Sequence, residues 1–67
     1  MTDSMKLRNI VESSGLKKTF IAKELGLSYQ GYLNKESGRR QFNANEIKAL
    51  KNLLQLTNKE ISDIFLS

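Results

Sequence analysis

The chain has 67 residues, 39% hydrophobic and 27% charged, the proportions of an ordinary soluble domain with room for one small core. It contains neither Cys nor His, which excludes disulfides, thiolate metal sites and the commonest general base. Its seven Asp and Glu form no evident pair, so an enzyme is not expected, nor a metal or other cofactor. The net charge of +4 is unevenly spread: residues 1–42 carry eight cations and four anions, residues 43–67 three of each. A basic excess of this kind is either the footprint of a polyanionic partner or a solvated surface, and charge alone does not decide between them.

Absent Pro and sparse β-branched residues argue against strands, and five helical segments can be marked in chain order. The first runs from about Ser4 to Ser13, with Met5, Leu7, Ile10 and Val11 as apolar positions, and Ser13-Ser14-Gly15 breaks it. The second runs from Lys18 to Leu25 with Ile21, Ala22 and Leu25 inward, and Gly26 ends it by tolerating positive φ. Ser28 caps the third, which continues to about Glu36 and stops at Ser37-Gly38. Asn43 caps the fourth, with Glu46 three residues on and Ile47, Leu50, Leu53 and Leu54 on one side. Thr57-Asn58-Lys59-Glu60 is a capping box for the fifth, whose buried stripe is Ile61, Ile64 and Phe65.

Four of these starts share a further signal. Leu16 with Ile21, Leu27 with Tyr32, Phe42 with Ile47, and Leu56 with Ile61 stand at the spacing of a hydrophobic staple, which fixes the angle at which the chain turns into a helix. Their recurrence predicts an all-α fold, a compact bundle of five short helices forming a single domain over residues 1–67. The segment from Lys18 to Gly38 is the most informative part. It places two short helices on a tight Gly-centred turn, with Lys17 and Lys18 before it and Arg39 and Arg40 after it, an arrangement that suits the major groove of B-DNA.

The string I-A-K-E-L-G-L-S from Ile21 to Ser28, followed by a helix and then Gly38-Arg39-Arg40, resembles the helix-turn-helix of phage repressor, Cro and Xre-type regulators. The resemblance spans nearly the whole chain, since the flanking helices fall where that five-helix fold has them. It places Ala22 where the two helices cross and makes the third helix the recognition helix. Its base-facing positions would be Ser28, Tyr29, Gln30, Leu33 and Asn34. Gln30 and Asn34 carry the amides that bond adenine N6 and N7, and Leu33 could touch a thymine methyl. Tyr29 and Leu33 have core positions as their alternative, and Gln30 and Asn34 a solvated surface.

Phosphate contacts are expected from Lys17, Lys18 and Thr19 at the start of the second helix, from Arg39 and Arg40 after the third, and from Asn43. A solvated basic loop is the alternative for the two arginines. Three residues depart from the family's pattern. Lys35 stands where an apolar residue is usual, so its stem would cover the core while its ammonium reaches water. Gly31 lies inside the recognition helix, and Phe20, usually polar, would pack on the first helix.

The resemblance implies a sequence-specific double-stranded DNA-binding regulator of transcription, a Cro-like repressor that occupies an operator and acts without a cofactor. A homodimer is expected, because two modules spaced one DNA turn apart double the contacts. Its candidate interface is Ile61, Ile64, Phe65 and Leu66, although a terminal Phe-Leu pair also serves to close a small core. The alternative function is a modulator or antirepressor that binds a partner repressor protein through Phe20, Tyr29 and Leu33. No apolar run approaches 18 residues and no signal-peptide pattern is present, so no membrane partner is expected. With Cys absent, the features point to the cytoplasm of a bacterial or phage-infected host cell.

Overall fold

Helix starts in this chain are set by residues that satisfy the free N–H groups of a first turn. The structure, a computed structural model, describes residues 2–66. Helix α1 (Ser4–Ser14) opens at Asp3, whose carboxylate accepts Lys6 N–H at 3.1 Å. Helix α2 (Lys18–Glu24) follows Lys17, which offers no side-chain cap. Helix α3 (Tyr29–Glu36) opens at Ser28, whose hydroxyl oxygen accepts Gly31 N–H at 3.0 Å. Helices α4 (Ala44–Leu54) and α5 (Asn58–Phe65) open with complete capping boxes, Asn43 with Glu46 and Thr57 with Glu60. Every predicted cap therefore lies where a helix begins, and the fold is all-α.

The ends are equally local. Gly15, Gly26 and Gly38 take positive φ, and so does one non-glycine among the described residues, Gln55 at φ 53° after α4. No glycine or asparagine marks that last turn.

Each helix contributes to one core: Leu7 and Val11 from α1, Ile21 and Ala22 from α2, Tyr32 from α3, Leu50 from α4, Ile64 and Phe65 from α5. Both members of all four staple pairs belong to this core or pack against it. Phe42 joins two regions, its ring centroid 6.2 Å from that of Tyr32 and 5.6 Å from that of Phe65 in an edge-on contact. Burial of an aliphatic side chain such as Ile21 or Leu50 stabilises by about 1.5–3 kcal/mol. The two ends of the fold meet where Asp3 N–H donates to the Ile64 carbonyl at 2.6 Å.

Three sequence expectations need correction here. Met5 is 73% exposed and takes no part in the core. Phe20 is 44% exposed rather than packed away, because α2 turns Ile21 and Ala22 inward instead. Ile64 and Phe65, expected at a dimer interface, are 0% and 8% exposed within a single chain. Their stripe is consumed by the core of the monomer, with Ile61 half-buried against it. Leu66, 76% exposed, is the residue of that stretch most open to a partner. No helix among the described residues is long and apolar enough to cross a membrane.

Candidate nucleic-acid interface

The turn between α2 and α3 is built by the backbone. The Ala22 carbonyl accepts Leu25 N–H at 3.1 Å and Leu27 N–H at 2.9 Å, while Gly26 supplies the left-handed step at φ 74°. Leu25 and Leu27 flank that glycine and pack against the core, and Ala22 is buried between the helices. This geometry sets which face of α3 points outward.

Ser28, Tyr29 and Gln30 are exposed at the start of α3, Tyr29 at 48%. Asn34 is half-buried one turn further on, and the Gln30 side-chain N–H donates to the Asn34 side-chain oxygen at 3.1 Å. The two amides thus share one face and hold each other in place. Leu33 departs from expectation: it is half-buried against the core, so most of its side chain is committed to packing. Tyr32 is fully buried, as its staple position requires. Gly31 has ordinary helical backbone, and a Cβ there would stand 3.0 Å from the Ser28 hydroxyl oxygen. The missing side chain leaves room for the cap.

Flanking cations divide into two kinds. Lys17, Arg39 and Arg40 are exposed and form no ion pair among the described residues. Thr19 is exposed beside Lys17, and Asn43 is exposed with its amide oxygen engaged by Glu46 N–H at 2.8 Å. Lys18 differs from the expected free cation: its ammonium donates to Glu36 Oε1 at 2.8 Å and its side chain is mostly covered.

Glu36 is the residue that sequence reasoning overlooked. Its buried carboxylate accepts the Lys18 ammonium on one oxygen and the Tyr32 hydroxyl on the other at 2.9 Å, with Arg8 Nε 4.0 Å away. Side chains from α1, α2 and α3 therefore converge on one anion. Burial is the main reason the Tyr32 phenol is pushed far above its ordinary value, followed by its hydrogen bond to Glu36 and then the charge of Glu36. The signal was present in the spacing. Glu36 lies four residues after Tyr32, so a buried Tyr32 brings Glu36 onto the same covered stripe.

Lys35 also departs from expectation. Its ammonium donates to Glu46 Oε1 at 2.6 Å, and both side chains are largely buried. The same Glu46 oxygen accepts Asn43 N–H at 3.0 Å, so the capping box of α4 and the last turn of α3 share one carboxylate.

No protein-family model, no curated protein and no solved structure matches the chain. The functional reading therefore rests on these residues and their placement.

Proposed function

We propose that the chain binds double-stranded DNA, with α3 in the major groove, and regulates transcription as a Cro-like repressor at an operator. The observation that carries this reading is the exposed start of α3, with its Gln30–Asn34 amide pair, flanked by the unpaired cations Lys17, Arg39 and Arg40. With its side chains α3, like any α-helix, is about 10–12 Å across, which suits a major groove about 12 Å wide. Ser28, Tyr29, Gln30 and Asn34 would face base edges. Lys17, Thr19, Arg39, Arg40 and Asn43 would contact phosphates, which set register without reading sequence. An ammonium has three donors and Lys18 gives one to Glu36, so Lys18 can stand between that carboxylate and a phosphate. Leu33 contributes at most the exposed edge of its side chain.

The active form we infer is a homodimer, its contact lying outside the buried Ile64 and Phe65. A second reading, binding to a partner repressor, has one observation in its favour: Phe20 and Tyr29 are both nearly half exposed. The same experiment separates the two. Selection from a random duplex pool, with affinities for the enriched and a scrambled site at two salt concentrations, should yield a palindrome. The palindrome should be preferred by about a thousandfold, and both affinities should weaken as salt rises. An unenriched pool would refute operator binding and leave the protein-partner reading.

A further inference from the structure

We propose that the Lys35–Glu46 ion pair is a positioning device that holds the Arg39–Arg40 loop in the shape that receives a phosphodiester; the inference rests on the DNA-binding reading. The loop from Ser37 to Asn43 joins α3 to α4 and carries two exposed, unpaired guanidinium groups. Long cationic side chains on a slack loop lose much entropy when they bind, and a loop already fixed avoids most of that cost.

This loop is fixed at every stage. Arg40 N–H donates back to the Asn34 carbonyl at 3.1 Å, and the Ser37 hydroxyl donates to the same oxygen at 3.0 Å. Gly38, at φ 86°, lies so near α1 that a Cβ would stand 3.1 Å from the Ser4 hydroxyl oxygen. Phe42 anchors the far end in the aromatic core. Across the mouth of the loop, Lys35 reaches Glu46 at 2.6 Å, and Glu46 binds Asn43 N–H at 3.0 Å, so the two stems are tied through one oxygen.

The pair has a second effect. Glu46 is a largely buried anion at the base of a basic loop, where its field would oppose an incoming phosphate. Lys35 cancels that charge at contact distance. An apolar residue at position 35 would pack equally well and do neither job. Packing is thus an insufficient reason for a lysine whose burial costs desolvation.

The test uses the variant Lys35→Met with Glu46→Gln. It keeps the net charge, keeps a capping-box partner at position 46 and leaves no unpaired buried charge. Affinity for a random-sequence duplex is measured between about 50 and 200 mM salt, with thermal unfolding as the fold control. The expected result is a folded variant with roughly tenfold weaker binding and a log–log salt slope shallower by about 1, the loss of one phosphate contact. Lys35→Arg should keep the wild-type slope. Because net charge is unchanged, wild-type slope and affinity in the double variant would overturn the proposal. Wild-type protein without salt-dependent binding would instead overturn the DNA reading and this inference with it. A measurement on the wild type alone guards against a variant that does not fold. Backbone order parameters at Arg39 and Arg40 should be near the rigid value of about 0.85, and values below about 0.6 would overturn the proposal.

Discussion

Helices α4 and α5 each begin with a full capping box, each carry a glutamate in the first turn, and lie in the part of the sequence with balanced charge. Helix α2 has no side-chain cap, and α3, besides its Ser28 cap, is tied to its neighbours by Lys18 on Glu36, which Tyr32 also binds within α3, and by Lys35 on Glu46. The starts of α4 and α5 are fixed by groups three residues apart, whereas the polar contacts on Glu36 and Glu46 around α3 join groups 4 to 18 residues apart. Local contacts can be spent on a scaffold. A face that must keep Gln30, Asn34 and several cations outward needs its orientation set from beneath, and buried charge does that.

The sharpest way to break this contrast is to empty the scaffold's core. Ile64→Ala should destabilise by about 2–5 kcal/mol, since Ile64 is fully buried and its loss leaves a cavity. Chemical denaturation of the purified variant measures it. A loss of dimer without loss of stability would return Ile64 to an interface and contradict its place in the core.

Next comes the centre of the polar region. Glu36→Ala removes the acceptor of a buried hydroxyl and the partner of a covered ammonium, at a cost of about 2–3 kcal/mol. Gly38→Ala should cost about 1–2 kcal/mol, because positive φ and the nearby Ser4 hydroxyl both oppose a side chain. The smallest effect lies in the other region. Gln55→Gly should stabilise by about 0.5–1 kcal/mol, by relieving the left-handed residue after α4. A destabilised Gln55→Gly protein would mean that the glutamine side chain contributes something beyond the turn.

Alkaline pH sharpens the comparison from another side. The folded state raises the Tyr32 phenol above its unfolded value of 10.0, so its contribution is complete below that pH. It is lost above that pH, as the unfolded chain ionises first and deprotonation then extends toward the raised folded value. Tyr32→Phe should abolish this alkaline component of the unfolding curve, and an unchanged curve would refute it. The Asp63 carboxyl behaves oppositely, held below its ordinary value chiefly by the Lys6 hydrogen bond, so its contribution fades as pH falls.

The same contrast explains what the sequence made legible. Caps, staples and glycine stops involve residues within five of each other, and all five helices could be placed from them. The near partners of Glu36 and Glu46 stand at readable spacings, but their cations Lys18 and Lys35 could not be placed so directly, because helix crossing brings them in. Lys35 was singled out only by the resemblance, and its counter-ion lay across a loop. Ile64 and Phe65 were read both as a buried stripe, which they are, and as an interface, for a related reason. An amphipathic stripe reads alike whether its own core or a partner covers it. The exposed amides and arginines were legible as residue types, whereas their common face depends on the tertiary turn at Gly26.

The most direct test of the central claim is a titration of isotope-labelled protein with short duplex DNA, followed through backbone and side-chain amide shifts. The account predicts perturbations at Lys17 to Thr19, Ser28 to Gln30, the Asn34 side chain and Arg39 to Asn43, with α5 unchanged. Shifts centred on α4 and α5, or none at all while the protein stays folded, would contradict it.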